Sequence, residues 1–228
     1  MVLIEAKKPI VITIDGPAGA GKSTVAKELA KKLGFAYLDT GAMYRALTLK
    51  ALRQKIHPED ENKLIELAKT TSIDIDTSDK KLLKVLLDNE DVTEAIRTLE
   101  VTNNTFYIAR IPGVREVMVQ RQREIGKKRN VVVEGRDIGT VVFPKATKKF
   151  YLDANFNERS RRRIEELKAK GKTVNESSLA QELKERDTKD MTRKIGPLKK
   201  ADDAILIDTT HLSIEEVVDK ILELIKNG

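Results

Sequence analysis

The sequence predicts an α/β fold in which a parallel sheet carries a phosphate-binding loop. Three observations support this prediction. Residues 10–14 are all β-branched, as is typical of a buried strand, and they lead directly into a glycine-rich loop. A strand-loop-helix pattern recurs over residues 35–52. Residues 131–133 form a second wholly apolar β-branched run. Strands that alternate with helices in this way favour a parallel sheet covered by helices.

The glycine-rich loop has the spacing of the phosphate-loop motif, G-x-x-x-x-G-K-S/T. Its residues are Gly16, Pro17, Ala18, Gly19, Ala20, Gly21, Lys22, Ser23 and Thr24. Glycines let main-chain N–H groups approach phosphate oxygens, and the N-terminus of the following helix favours an anion. Lys22 is expected to reach the β and γ phosphates, and the Ser23 hydroxyl to hold Mg²⁺. The motif predicts binding of a nucleoside triphosphate; the alternative is an ordinary glycine-rich turn.

The remaining elements follow from apolar periodicity and turn residues. Gly34 is expected to end the first helix, and Ser213 to open the last one through a capping box with Glu216. Further helices are predicted over residues 42–52, 63–70 and 179–189, at residues 157–163, and across residues 94–126 with an interruption at residues 111–113. Further strands are predicted at residues 35–39, 149–153 and 204–208, and residues 72–76 and 84–87 predict a small antiparallel patch before a turn at residues 88–91.

Polar residues collect where the predicted parallel strands end. Ligands of open α/β sheets bind at the carboxyl ends of the strands. We therefore expect Gly16, residues 39–40, residues 134–137 and Asp153 to share one edge of the sheet.

Composition restricts the classes of function. The chain has 228 residues, enough for one α/β domain with insertions, and it has no cysteine, which excludes disulfides and cysteine nucleophiles. No apolar run approaches a membrane span, and residues 1–8 lack the apolar core of a signal peptide, so we expect a cytoplasmic protein with no membrane partner.

The net charge of +7 suits a polyanionic ligand, whereas an aromatic content of 4% argues against a single-strand nucleic-acid binder. A nucleotide-binding protein whose basic surface contacts nucleic acid is the alternative from a different class.

Arginines are abundant near predicted strand ends and helix starts. They are Arg45, Arg115, Arg136, Arg162, Arg163, Arg186 and Arg193. Because arginine pairs with phosphate through two parallel hydrogen bonds and keeps its charge, this set suits a second phosphorylated ligand. If that ligand accepts a phosphoryl group, its attacking oxygen is already anionic and no catalytic base is needed.

Three stretches carry a resemblance to a known family. They are residues 39–45 (DTGAMYR), residues 134–144 (EGRDIGTVVFP) and the group Arg186, Asp187, Asp190 and Arg193. They resemble the signatures of the bacterial cytidylate kinase family, over almost the whole chain. The resemblance implies a phosphate-loop nucleoside monophosphate kinase fold within a single unit. The implied parts are a core at residues 1–62, 99–154 and 177–228, a β-containing monophosphate-binding insert at about 63–98, and an arginine-rich lid at about 155–176.

The resemblance also implies transfer of the ATP γ-phosphoryl group to CMP or dCMP with Mg²⁺, in pyrimidine nucleotide metabolism. Thr40, Arg45, Arg136 and Arg193 would hold the acceptor phosphate, Arg186 and Asp190 the sugar, and Arg115 and Asp137 the cytosine edge. The implied catalytic residues are Lys22, Arg136, Arg193 and the lid residues Arg162 and Arg163. Glu134 is expected to be either a water-mediated Mg²⁺ ligand or a strand-end carboxylate without metal. The expected assembly is a monomer with no nucleic-acid partner.

One position departs from the family pattern. The family usually has a serine that helps to read cytosine about where Phe106 stands, with Thr105 one register away. This departure bears on base selectivity, so a kinase for UMP or AMP is the nearest alternative enzyme. The alternative interpretation of Arg45 and Arg115 is that they are ordinary helix-surface charges. For the basic run at residues 159–163 a solvated helix face is the alternative interpretation, and the basic run at residues 121–129 is expected to be a solvated helix end.

Overall fold

The first strand forms the centre of a five-stranded parallel sheet. The computed structural model describes residues 8–76, 84–169, 171 and 173–227. The sheet has the order β2-β6-β1-β7-β8, and every neighbouring pair is parallel. Its strands are β1 (Val11–Asp15), β2 (Ala36–Asp39), β6 (Val131–Gly135), β7 (Lys148–Asp153) and β8 (Ile205–Asp208). The predicted parallel α/β architecture is confirmed.

Alternate residues of the interior strands enter two separate apolar layers. Val131 and Val133 pack on one face of the sheet, while Val132 packs on the other with Ile12 and Ile14. Both faces are thus covered by helices, which explains why these strands are continuously apolar rather than alternating. Helices α1 (Lys22–Leu33) and α8 (Ile214–Lys226) cover the face of Ile12; α2 (Thr40–Arg53), α3 (Glu61–Thr70), α4 (Leu99–Ala109) and α5 (Pro112–Lys128) cover the other.

A second, antiparallel sheet follows α3, as the alternating pattern predicts. It consists of β3 (Ile73–Asp76), β4 (Lys84–Leu87) and β5 (Glu90–Asp91). Asp88 and Asn89 both have positive φ, 49° and 69°, which is the geometry of a two-residue hairpin turn. The turn is therefore shorter than predicted, because Glu90 and Asp91 already pair with β4.

Gly34 ends α1 in the left-handed conformation and Ser213 caps α8, both as predicted. Helices α2 and α3 each begin two residues before their predicted starts, and α5 begins at Pro112, inside the predicted interruption. A 3₁₀ turn lies at Ala95–Arg97 and a π-helical turn at Ile138–Val142. Two longer helices, α6 (Phe156–Ala169) and α7 (Glu176–Thr192), follow β7. No helix within the described ranges is both long and apolar enough to cross a membrane.

The prediction that the basic run in α5 is solvated is wrong for two of its residues. Arg123 donates to the carbonyl oxygens of Val141 and Val142 at 2.8 Å each, and Arg121 donates to that of Lys69 at 3.0 Å. These two arginines bind the ends of neighbouring helices, so part of the run has a structural role.

Candidate active site

The phosphate loop leaves β1 at Asp15 and enters α1 at Lys22. Gly16 has φ 145°, and a Cβ there would overlap the carbonyl oxygen of Leu152 on the neighbouring strand. Gly21, the residue before α1, has φ 84°, which a residue with a side chain adopts at a cost. The loop conformation therefore requires glycine at both positions, as the motif predicts.

Lys22 is buried under the loop. Its Nζ donates to the carbonyl oxygen of Pro17 at 2.6 Å. Burial, and then the positive charge of Arg136, lower the pKa of the ammonium group to about 7, against the opposing effect of Glu134. The lysine thus lies in a site that disfavours its own charge when no anion is present.

Ser23, at the start of α1, lies against Glu134 of β6. The Ser23 hydroxyl donates to the Glu134 carboxylate, and the Tyr37 hydroxyl donates to the same oxygen at 3.0 Å. Burial, and then the charge of Asp39, raise the pKa of Glu134. In the described part of the chain, no cluster of three or more histidines or carboxylates forms a ready metal site.

The end of β2 runs directly into α2. Asp39 caps the helix, accepting from the Ala42 N–H at 2.8 Å, and it pairs with Arg45 at 2.9 Å. The Thr40 hydroxyl donates to the Glu134 carbonyl oxygen at 2.8 Å. Arg45 is thus held at the sheet edge rather than on a solvated helix face.

A group of alternating charges lies between the end of β6 and α7. Arg136 Nε pairs with Asp190 at 2.8 Å, and Arg193 lies 3.9 Å from the other oxygen of Asp190. Although burial alone would raise it, Arg136 and Arg186 hold the pKa of Asp190 below its ordinary value. The structure therefore brings Arg136, Asp190 and Arg193 together.

Asp137 receives two arginines from different elements. Arg115 of α5 forms a short ion pair with one of its oxygens, and Arg193 pairs with the other at 3.1 Å. Arg115 is 3% exposed, so its alternative interpretation as a helix-surface charge is wrong. Its guanidinium lies 5.8 Å from the centre of the Tyr44 ring, whose buried hydroxyl has no hydrogen-bond partner among the described residues.

Arg186 differs from its neighbours because it makes no hydrogen bond or ion pair within the described ranges. It is half-buried on α7. Burial, and then the charge of Arg136, lower the pKa of its guanidinium to about 10. The charge of Asp190 opposes this shift, but within the described ranges no carboxylate pairs directly with Arg186.

The two predicted lid arginines lie on α6 and bind nearby groups. Arg162 donates to Glu158 at 2.7 Å and to the carbonyl oxygen of Thr209 at 2.6 Å, while Arg163 pairs with Glu166 at 2.6 Å.

Comparison with known proteins decides the family. The family model described as cytidylate kinase matches residues 12–227. The chain belongs to the cytidylate kinase family. As a member it is a phosphotransferase. A cytidylate kinase of Desulforamulus reducens is 54% identical over 217 residues, covering 95% of this chain and 97% of the relative. A cytidylate kinase of Bacillus subtilis is 51% identical over 220 residues, covering 96% and 98%.

A solved structure adds support for the fold of this cytidylate kinase family member. An uncharacterized protein from Eubacterium ventriosum is 14% identical, with a TM-score of 0.53, and the match covers 97% of this chain and 100% of that one. At this identity the likeness concerns the fold alone.

Sequence reasoning missed two buried groups beside the phosphate loop. Asp15 accepts from the Ile138 and Gly139 N–H groups at 2.9 and 2.7 Å, and burial raises its pKa to about 6. Arg159 is buried against Asp187, so its alternative interpretation as part of a solvated helix face is wrong. Only tertiary packing distinguishes Arg159 from the exposed Arg161 two residues later.

The position that departs from the family pattern lies on α4. The Thr105 hydroxyl donates to the Val101 carbonyl oxygen of its own helix at 2.7 Å. The Phe106 ring lies 5.7 Å from Lys189 Nζ of α7. In this arrangement the Thr105 hydroxyl hydrogen is directed at the helix backbone.

Proposed function

We propose that this chain transfers the γ-phosphoryl group of ATP to CMP or dCMP, giving ADP and CDP or dCDP. The observation that carries the proposal is a second cluster of charged groups beside the phosphate loop. Arg136 and Arg186 lie close enough to Lys22 to lower its pKa, and Arg136 is itself paired with Asp190. Two phosphate-binding regions at one sheet edge suit phosphoryl transfer between two nucleotides.

On the donor side, residues 16–24 hold the phosphates of ATP. The main-chain N–H groups of the loop and the N-terminus of α1 face the ligand, and Lys22 moves from the carbonyl oxygen of Pro17 to the β and γ phosphates. Arg162 and Arg163 belong to a lid at about residues 155–176 that closes over ATP and excludes water.

On the acceptor side, three groups of residues bind different parts of the nucleotide. Thr40, Arg45, Arg136 and Arg193 hold the phosphate, Arg186 and Asp190 hold the sugar, and Arg115 and Asp137 read the cytosine. A carboxylate accepts from an exocyclic amine, as in nucleic-acid recognition of cytosine N4. The Arg115 and Arg193 pairs support this role because they fix the Asp137 carboxylate in place before the base arrives. The small sheet within residues 63–98 serves as the monophosphate-binding insert.

The chemistry needs no side-chain base. The second pKa of a phosphate monoester is about 6, so the attacking oxygen of CMP is already anionic at neutral pH. The difficulty is to bring two polyanions into line, and Lys22, Arg136, Arg193, Arg162 and Arg163 supply positive charge for that purpose.

The residues present fit a magnesium ion. Mg²⁺ prefers oxygen ligands and keeps several waters, and the Ser23 hydroxyl and the Glu134 carboxylate offer oxygen atoms at the phosphate loop. Ser23 would bind the ion directly and Glu134 through water. When bound, the ion neutralises phosphate charge and orients the γ-phosphoryl group.

The enzyme is proposed to act as a monomer in the cytoplasm, where its nucleotide substrates occur, within pyrimidine nucleotide metabolism.

A substrate panel tests the proposal. ADP release is measured with ATP and Mg²⁺ and with CMP, dCMP, UMP or AMP as acceptor. We expect kcat/KM for CMP and dCMP to exceed that for UMP by about 100-fold, because Asp137 would face a carbonyl oxygen in UMP. Equal use of UMP would contradict the cytosine role of Arg115 and Asp137. Absence of turnover with every monophosphate would contradict the proposed reaction itself.

A further inference from the structure

A buried ion pair joins the two arginine-bearing helices beside the phosphate loop. Arg159 of α6 and Asp187 of α7 are each less than a tenth exposed, and Arg159 Nη1 donates to the Asp187 carboxylate. Arg159 Nε also donates to the carbonyl oxygen of Ala154 at 3.0 Å. Neither side chain has a role in the reaction described above. A buried ion pair costs desolvation energy, so its hydrogen-bond partners indicate what it holds in place.

Both side chains bind the same residue of the phosphate loop. The Ala18 N–H donates to Asp187 Oδ1 at 3.2 Å, and Arg159 Nη1 donates to the Ala18 carbonyl oxygen at 3.0 Å. At the next residue, a Cβ on Gly19 would lie 2.8 Å from the Arg159 carbonyl oxygen. The backbone of α6 therefore packs directly on the loop, and the main chain at Ala18 is held from two helices.

The orientation of this main chain matters because a phosphate loop binds its ligand largely through N–H groups. Binding both polar groups of Ala18 fixes the two peptide units that flank it. The charge of Arg159 also offsets the carboxylate of Asp187, which would otherwise repel a polyphosphate nearby. We propose that Arg159 and Asp187 are positioning residues that hold the phosphate loop in its ATP-binding conformation and fix α6, with its lid arginines, against it.

This inference rests on the proposed role of residues 16–24 in ATP binding, but it does not depend on the identity of the acceptor. In the part of the chain that the structure describes, neither Arg159 nor Asp187 hydrogen-bonds to a proposed acceptor residue. Variants of the pair should therefore weaken binding of Mg²⁺-ATP, measured without acceptor, and leave the KM for CMP nearly unchanged.

Three variants separate geometry from charge. Arg159→Lys keeps the charge but loses the fork that reaches Ala154, Ala18 and Asp187 together, so we expect about fivefold weaker ATP binding. Arg159→Met leaves the Asp187 carboxylate uncompensated beside the phosphates, and we expect about 30-fold weaker binding. Adding Asp187→Asn to Arg159→Met removes that charge and keeps an acceptor for the Ala18 N–H, so binding should recover to within about tenfold of the unaltered protein.

The matched control is an exposed ion pair that joins two helices outside the proposed lid, Lys32 of α1 and Asp219 of α8, 2.6 Å apart. Lys32→Met/Asp219→Asn should bind ATP within about twofold of the unaltered protein. The Kd for Mg²⁺-ATP is measured by titration calorimetry, the KM for CMP by ADP release, and the folded fraction by thermal melting.

Two results would overturn the inference. One is ATP binding within about twofold of normal in both Arg159→Lys and Arg159→Met, and Arg159→Lys alone decides the matter if Arg159→Met does not fold. The other is a KM for CMP that rises as much as the Kd for ATP. If the unaltered protein binds ATP but phosphorylates no monophosphate, the proposed reaction fails while this comparison of ATP affinities still stands.

Discussion

We expect the Lys22 side chain to gain a proton when ATP binds. Burial and Arg136 lower its pKa to about 7 in the free protein, so at pH 8 the side chain is mostly neutral. The phosphates of ATP favour the charged form, which returns the pKa towards its ordinary value. ATP binding at pH 8 should therefore take up about half a proton to one proton.

Calorimetric titration in buffers of different ionisation enthalpy measures this uptake. The control is Lys22→Met, which should bind ATP more weakly and take up close to no proton. Equal proton uptake by both proteins would place the titrating group elsewhere.

Substitution of Arg136 tests the proposed binding site for the acceptor phosphate. Arg136→Ala would remove the proposed charge-assisted contact with the acceptor phosphate, and it leaves Asp190 without its closest partner. We expect kcat/KM for CMP to fall about 30- to 1000-fold, or about 2 to 4 kcal/mol. Arg161→Ala, on the exposed side of α6, is the matched control and should retain activity. Activity of Arg136→Ala within threefold of normal would count against its role.

The sequence identifies residues whose function is tied to a fixed spacing, but not residues whose function depends on a partner. The phosphate loop is read from eight consecutive positions because its geometry is local. Arg159 and Asp187 are 28 positions apart, and nothing in either segment indicates that they meet at Ala18. Asp15 is similar, since its two donors lie 123 and 124 residues away.

At the scale of elements, α1 ends at a glycine in the left-handed conformation, and a single substitution tests how much this glycine contributes to stability. Gly34 has φ 67°, and a Cβ there would meet nothing within 4 Å, so only backbone strain opposes a side chain. Gly34→Ala should lower the free energy of unfolding by about 1 kcal/mol. Gly34→Asn should cost less, because asparagine tolerates the left-handed region. Urea denaturation checks both, and equal stability of Gly34→Ala and the unaltered protein would contradict the strain.

Periodicity predicted which elements exist, whereas caps decided where they begin. Helix α7 starts at Glu176, three residues before the apolar pattern, because the Asn175 side chain accepts from the Ser178 N–H. Helix α2 starts at Thr40 because Asp39 ends the strand and caps the helix at once. Both starts use polar residues that an apolar pattern does not register.

At the scale of the whole molecule, the parallel sheet concentrates charge at one edge. The carboxyl ends of β1, β2 and β6 bring together the phosphate loop, Arg45 and Arg136, and α7 adds Arg186 and Arg193. Several of these cations are paired with carboxylates, which limits their mutual repulsion. The arrangement favours two polyanionic ligands and costs stability when they are absent.

The cost in stability of the clustered positive charges should be measurable at Arg186. This side chain is half-buried, its pKa is lowered to about 10 by burial and by Arg136, and it has no ion pair among the described residues. Arg186→Met removes the charge and keeps an apolar stem, so the free protein should gain about 1 kcal/mol of stability. The same change should lower kcat/KM for CMP by about tenfold or more, because it would remove the proposed contact of Arg186 with the sugar.

Urea denaturation with and without inorganic phosphate separates these effects. Phosphate should stabilise the unaltered protein more than Arg186→Met, because a bound anion relieves the repulsion that the substitution has already removed. Arg161→Met, an exposed change of the same type, should alter neither quantity. A less stable Arg186→Met would mean that Arg186 stabilises the fold. That result would contradict the expected cost in stability of Arg186 in the free protein.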